Sequence, residues 1–312
     1  MLSNGPENTA KNRARIEALI NSAFKREVIR KVVDVVVPLN DIGDGPPFYC
    51  IHSIAGVATE YQDLVRMLGP NRKFYGIQVP SDRRNADFAR SIEELSKYYV
   101  DELVKFQPEG TFLLGGYSVG ATIALEMSQQ LIARGREVDL LVVFDGELFN
   151  TGAEITARNP LYWLKLLTNA PRWIVHEHGS FAKKPATRVK SVTFKTCKKN
   201  RQKLLERFID LRGFLPEHSA FIRALFDSHR DYVPSRYLGR VFVFVVKTHP
   251  LSYLRQVKAA WTKIAPSSEV FEISCTHLKI MKMPHVRAVA ERLSKKIEEI
   301  GEQIHATPMD MQ

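Results

Sequence analysis

Short apolar runs alternate with helically spaced segments through most of the chain, and nothing else in the sequence restricts the fold as strongly. The runs VVDVVVPL (32–39), PFYCI (47–51), KFYGI (73–77), TFLL (111–114), VDLLVVF (138–144), RVFVFVV (240–246) and EVFEI (269–273) read as strands. Between them, TEYQDLVRML (59–68), SIEELSKYYVDELVKF (91–106) and VGATIALEMSQQLIAR (119–134) read as helices. A last helix is expected from Pro284 to about residue 304, with Val286, Val289, Leu293, Ile297 and Ile300 at core spacing and Pro284 in its first position. Continuous apolar runs belong to strands covered on both faces, so the class is α/β, with a mainly parallel central sheet flanked by helices.

The alternation breaks between about residues 150 and 236. That stretch is helical in pattern, strongly basic and rich in aromatics (Tyr162, Trp163, Trp173, Phe194, Phe214, Phe221), which predicts a helical lid inserted over the sheet. At the other end, Ile16, Leu19, Ile20, Phe24, Val28 and Ile29 predict an amphipathic N-terminal helix. The chain therefore divides into an extension over residues 1–30 and a main domain over 31–312.

Composition decides questions of surroundings and partners. No apolar run approaches the roughly 18 residues needed to span a bilayer, and the polar N-terminus lacks the apolar core of a secretory signal. Cys50, Cys197 and Cys275 are an odd number without metal spacing, which suits reduced thiols in the cytoplasm. The net charge of +11 is uneven: residues 183–203 hold nine Lys or Arg and no acid. Such a patch attracts nucleic acid, an anionic membrane or an acidic or phosphorylated partner, or forms a plain solvated face. No nucleic-acid motif surrounds it, and a lone Phe194 does not make a base-stacking platform.

The chemistry centres on LLGGYSVGA (113–121), in which Gly116-Tyr117-Ser118-Val119-Gly120 fits G-x-S-x-G. A nucleophile elbow needs a serine on a tight strand-to-helix turn, with glycines two places either side because side chains there would collide. TFLL before the motif and VGATIALEM after it supply that strand and that helix. A helix opening at Ser118 also aims backbone N–H groups at a developing oxyanion.

A serine nucleophile needs a base, and an acid to orient the base; on this type of sheet they follow in the order serine, acid, histidine. His277 follows EVFEI in a loop before the last helix, and His249 follows RVFVFVV, so both end a late strand. His285 falls in the first turn of the final helix, a surface position. For the acid, LVVFDGE places Asp145 at a strand end with Glu147 close by, whereas RVFVFVVKTHP has no carboxylate, and elimination favours Asp145. One oxyanion donor is the N–H of Val119. The small-residue loop His52-Ser53-Ile54-Ala55-Gly56 offers a second, the N–H of Ile54 or of Ala55.

Over about residues 36–300 the sequence resembles the thioesterase domains of nonribosomal peptide and polyketide synthases. Three blocks carry the likeness: VPLND…PPFYCIHSIAGVATEYQDLVRML, LLGGYSVGATIALEMSQQLIARGREVDLLVVFDGE and CTHLKIMKMPHVRAVAERL. Two positions depart from the family pattern. His52–Gly56 replaces a proline- and glycine-rich loop, and Ser274-Cys275-Thr276 replaces the glycine-aspartate before the histidine.

The resemblance implies an α/β-hydrolase fold and a Ser118–His277–Asp145 triad with Val119 and Ile54 as oxyanion donors. It also implies an acyl or peptidyl chain carried on the phosphopantetheine arm of a carrier protein, released by hydrolysis or cyclisation without metal or redox cofactor. Carrier proteins are acidic, which gives Lys183, Lys184, Arg188 and Lys190 a reading as a carrier- or phosphate-binding patch. Two other readings fit the same residues: a general carboxylester or lipid hydrolase, and a catalytically silent acyl-binding protein.

Overall fold

The computed structural model describes residues 35–152, 159–181, 205, 209, 211–249 and 256–306. The N-terminal helix expected before residue 30 and the basic run 183–203, with Lys183, Lys184, Arg188 and Lys190, lie outside the described residues. Among the described residues seven strands make one sheet: β1 (Val36–Asn40), β2 (Phe48–Ile51), β3 (Phe74–Ile77), β4 (Phe112–Tyr117), β5 (Val138–Phe144), β6 (Val241–Thr248) and β7 (Glu269–Thr276). Their order across the sheet is β1-β3-β2-β4-β5-β6-β7, and only the edge pair β1–β3 is antiparallel.

Helices cover both faces, as doubly buried strands require. On one side lie α2 (Ile92–Phe106) and α3 (Val119–Ala133), whose Leu95, Tyr99, Val100, Leu103, Ile123 and Leu131 join Ile51, Ile77, Leu114, Leu141 and Val243 in one core. On the other, α1 (Gln62–Leu68) and the last helix α7 (His285–Ala306) close over Phe48, Phe74, Leu113, Val142, Phe144 and Phe244. The five α7 residues expected at core spacing are all buried there. The helix opens at His285, one residue after Pro284.

Of the region expected as a lid, α4 (Pro160–Phe181) and α5 (Pro216–Asp231) are described. They differ in how they meet the body. On α4, Trp163, Leu164 and Leu167 are exposed, whereas on α5 Phe221, Ile222 and Leu225 are fully buried in the first core. Phe221 was expected on an insertion over the sheet; it lies in the core because α5 presents an apolar face to α2 and α3. A short helix absent from the sequence reading, α6 (Val257–Ile264), buries Trp261, whose indole N–H donates to the Gly146 carbonyl at 2.6 Å.

The strand order places the site. From β2 the chain moves outward to β3, then returns past β2 to β4, so the segments leaving β2 and β4 diverge at the same end of the sheet. The crevice between two such strand ends is where ligands bind in open α/β sheets.

Candidate active site

Ser118 stands between β4 and α3 with φ 59° and ψ −123°, a backbone region costing a non-glycine residue about 1–3 kcal/mol. Sterics explain the flanking glycines. A Cβ on Gly116 would fall on the Gly120 carbonyl, and one on Gly120 would fall on the carbonyl oxygens of Ile51 and His52. The turn is pinned at its base, where Ser118 N–H donates to the Phe144 carbonyl at 3.1 Å.

Asp145 follows β5 directly, fully buried and also at positive φ, 51°. Its N–H donates to the Phe244 carbonyl at 2.7 Å, and its Oδ1 accepts from Val246 N–H at 3.1 Å. Oδ2 lies 2.6 Å from His277 Nδ1. A carboxylate only accepts, so Nδ1 carries the ring proton and Nε2 is left as an acceptor. That Nε2 lies 3.1 Å from Ser118 Oγ. Serine, histidine and aspartate thus form one hydrogen-bonded chain, assembled from the ends of β4, β7 and β5. Beside it, burial and the Asp145 charge push the Cys275 thiol up to about 12, keeping it protonated and unreactive at neutral pH.

The structure separates the alternatives that the sequence left open. His249 is held by α4: its N–H donates to Asn169 Oδ1 at 2.9 Å and its carbonyl accepts from Asn169 Nδ2 at 2.7 Å. The carboxylate at His277 Nδ1 belongs to Asp145, while the Glu147 carbonyl meets His229 Nε2 at 2.9 Å. His52 is fully buried, its Nε2 2.6 Å from the Tyr99 hydroxyl and its Nδ1 2.6 Å from the Ser53 carbonyl. Burial lowers its pKa to about 4, so the ring is neutral and braces the loop. Val119 opens α3, where a first-turn N–H has no partner within the helix. The N–H groups of Ile54 and Ala55 likewise donate to no group among the described residues.

Two contributors were missed in the sequence. The Tyr117 ring stacks on the His277 ring with centroids 4.8 Å apart, and its hydroxyl donates to the His277 carbonyl at 2.8 Å. Its position as the variable residue before the serine was the available signal. Tyr61, fully buried, accepts from Tyr117 N–H at 2.9 Å and donates to the Ile51 carbonyl at 2.5 Å, joining the ends of β2 and β4. No periodicity marks a residue of that kind.

A seven-stranded, mostly parallel sheet with a strained serine elbow and a histidine and aspartate on later strand ends is an α/β-hydrolase fold. The family model for the thioesterase domain matches residues 46–297, and the chain belongs to that family. Malpibaldin synthetase of Mortierella alpina is 37% identical over 111 residues, 36% of this chain and 2% of the synthetase. The dimodular nonribosomal peptide synthase of Bacillus subtilis is 30% identical over 116 residues, 37% of this chain and 5% of the synthase. The chain therefore spans only a few hundredths of the length of these relatives. Among solved structures, the NocB thioesterase domain in covalent complex with a fluorophosphonate nocardicin G analogue aligns with TM-score 0.57 and 24% identity. That alignment covers 85% of this chain and 100% of the domain. The relatives named are peptide synthetases, and the neighbour is a thioesterase domain whose fold this chain shares. Among the described residues no helix is long and apolar enough to cross a membrane.

Proposed function

We propose that the protein is a serine thioesterase that releases an acyl or peptidyl chain from the phosphopantetheine arm of a carrier protein. The observation that carries this is the hydrogen-bonded chain Ser118 Oγ–His277 Nε2, His277 Nδ1–Asp145 Oδ2 at the diverging strand ends. Ser118 Oγ attacks the thioester carbonyl carbon while His277 Nε2 takes its proton. Asp145 holds the imidazole in the required tautomer and stabilises the imidazolium. The carbonyl oxygen becomes an oxyanion held by the N–H groups of Val119 and Ile54. Collapse breaks the carbon–sulfur bond, and the imidazolium returns its proton to the departing pantetheine thiolate. The serine ester is then released by water or by a nucleophile within the chain itself, with His277 again as base.

The carrier enters as an acidic partner with a phosphate at the root of its arm. The nine cations of residues 183–203, Lys183, Lys184, Arg188 and Lys190 among them, would steer it. Raising the salt from about 0.05 to 0.5 M is expected to lower kcat/KM on acyl-carrier several-fold, where charges screen within about 10 Å or less, but not on an acyl-pantetheine mimic.

Intact-protein mass after fluorophosphonate treatment, in wild type and Ser118→Ala, tests the reading. One adduct on wild type and none on the variant is expected, together with faster turnover of acyl-carrier than of a simple acyl ester. An unlabelled wild type overturns the nucleophile, and a preference for free esters overturns the substrate.

A further inference from the structure

The loop that leaves β2 is held by polar contacts, most of which fall on Ser53. Ser53 N–H donates to Glu60 Oε1 at 2.5 Å, and its hydroxyl donates to Glu60 Oε2 at 2.5 Å. Its carbonyl accepts from His52 Nδ1–H at 2.6 Å and from Gly56 N–H at 3.0 Å. Next along, the Ala55 carbonyl accepts from His218 Nε2–H on α5 at 2.8 Å. Every polar group of Ser53 is engaged, while the two N–H groups immediately after it, on Ile54 and Ala55, donate to nothing among the described residues. Fixed neighbours around open N–H groups make a preorganised anion donor.

Glu60 lies in the short turn Thr59–Tyr61, and its chain neighbour Tyr61 bonds the elbow strand through Tyr117 N–H and the end of β2 through the Ile51 carbonyl. One turn therefore grips both flanks of the crevice: Glu60 the loop, Tyr61 the elbow.

We propose that Glu60 is a positioning residue for the oxyanion hole: its carboxylate holds both donors of Ser53 and so fixes the Ile54 and Ala55 amides opposite Ser118. This rests on the reading of Ser118 as the nucleophile. A carboxylate accepts both Ser53 donors at once. Alanine accepts neither. Glutamine accepts the N–H through its oxygen and donates from its nitrogen to Ser53 Oγ, so it keeps two bonds without the charge.

The test uses an acyl-pantetheine thioester for kcat and KM, and an alkylboronic acid, which forms a tetrahedral adduct on Ser118 Oγ with an oxygen at the oxyanion position. Because small displacements of transition-state donors are costly, Glu60→Ala is expected to lower kcat about 10- to 100-fold with KM within about twofold. Boronate affinity should fall in the same proportion, and Glu60→Gln should restore both to within about threefold of wild type. A purely structural role would not move kcat and boronate affinity together while sparing KM.

Wild-type kcat in Glu60→Ala, a fall in kcat with boronate affinity unchanged, or no rescue by glutamine would each overturn the clamp. Should Glu60→Ala not fold, as judged by circular dichroism, Ser53→Ala deletes one prong. It is expected to lower both quantities about three- to tenfold, and no change in either overturns the proposal. A wild type that neither turns over thioester nor binds boronate overturns the serine-hydrolase reading and the clamp's catalytic role with it. An active wild type with unaffected variants overturns the clamp alone.

Discussion

The elbow holds Ser118 by backbone geometry and steric exclusion, whereas in the facing loop side-chain hydrogen bonds hold Ser53 and Ala55 on either side of Ile54. On the elbow, two glycines let β4 and α3 come together, and main-chain atoms of α3 and of the end of β2 fill the space that side chains would take. On the loop, Glu60, His52 and His218 hold the main chain through their polar ends. The first arrangement tolerates almost no substitution and rests on main-chain contacts rather than on the protonation of a side chain. The second tolerates change of shape, but its strength depends on which groups carry protons. The two halves of one site should therefore fail differently.

The largest expected effect lies in the chemistry of the elbow. Ser118→Ala should lower kcat on a thioester by about 10⁴-fold or more while leaving thermal stability nearly unchanged, as paired kinetics and melting would show. Gly120→Ala should damage the fold itself, because its methyl group meets main-chain oxygens that cannot yield; a loss of about 3 kcal/mol by denaturant titration is expected. If that variant melts like wild type, the steric account of the elbow is wrong. Tyr117→Phe keeps the ring against His277 and removes one hydroxyl donor to its carbonyl, so kcat should fall about fivefold, worth about 1 kcal/mol, with little change in KM.

The smallest effect is a slope against pH, and it belongs to the loop alone. Burial raises the Glu60 carboxyl from 4.5 to about 7, against the opposing pull of its Ser53 bonds and Lys282. Its contribution to stability is complete below pH 4.5 and is lost as pH rises through 7. Burial lowers His52 from 6.5 to about 4, so its contribution is complete above pH 6.5 and is lost as pH falls through 4. Between those limits the two slopes oppose each other, and the wild type should melt at nearly constant temperature. Glu60→Gln removes one slope and should make the melting temperature rise with pH from about 4 to 6.5. A Glu60→Gln profile as flat as that of wild type would mean that the two groups are not the loop's titrating pair.

What the sequence revealed follows the same division. Strands β2 to β6 were legible because side chains buried on both faces leave nothing but apolar residues, as in VFVFVV. The elbow was legible because a steric demand can be met only by glycine. Asp145 and His277 were legible because each follows a strand end in the order that the fold requires. Glu60, Tyr61 and Tyr117 were not, since a side chain that holds a distant main-chain atom has no fixed spacing from its target. Glu60 and Ser53 are seven residues apart, yet Tyr117 and His277 are 160 apart. Helix α6 was missed because eight residues between loops give too little periodicity to stand out. Within the region read as a lid, the burial of Phe221 shows that α5 completes the core.

The hydrogen-bonded chain through Ser118, His277 and Asp145 also bears on how the protein comes into being. Its links join residues 159 and 132 positions apart, through strands that lie at the middle and far side of the sheet. Contacts of such sequence separation form late, after the entropy of closing long loops has been met. The proposed triad is therefore complete only in a chain whose last parallel strand is paired, because that strand carries His277 to Ser118 and Asp145. Without that pairing Ser118 has no histidine beside it to act as the proposed base.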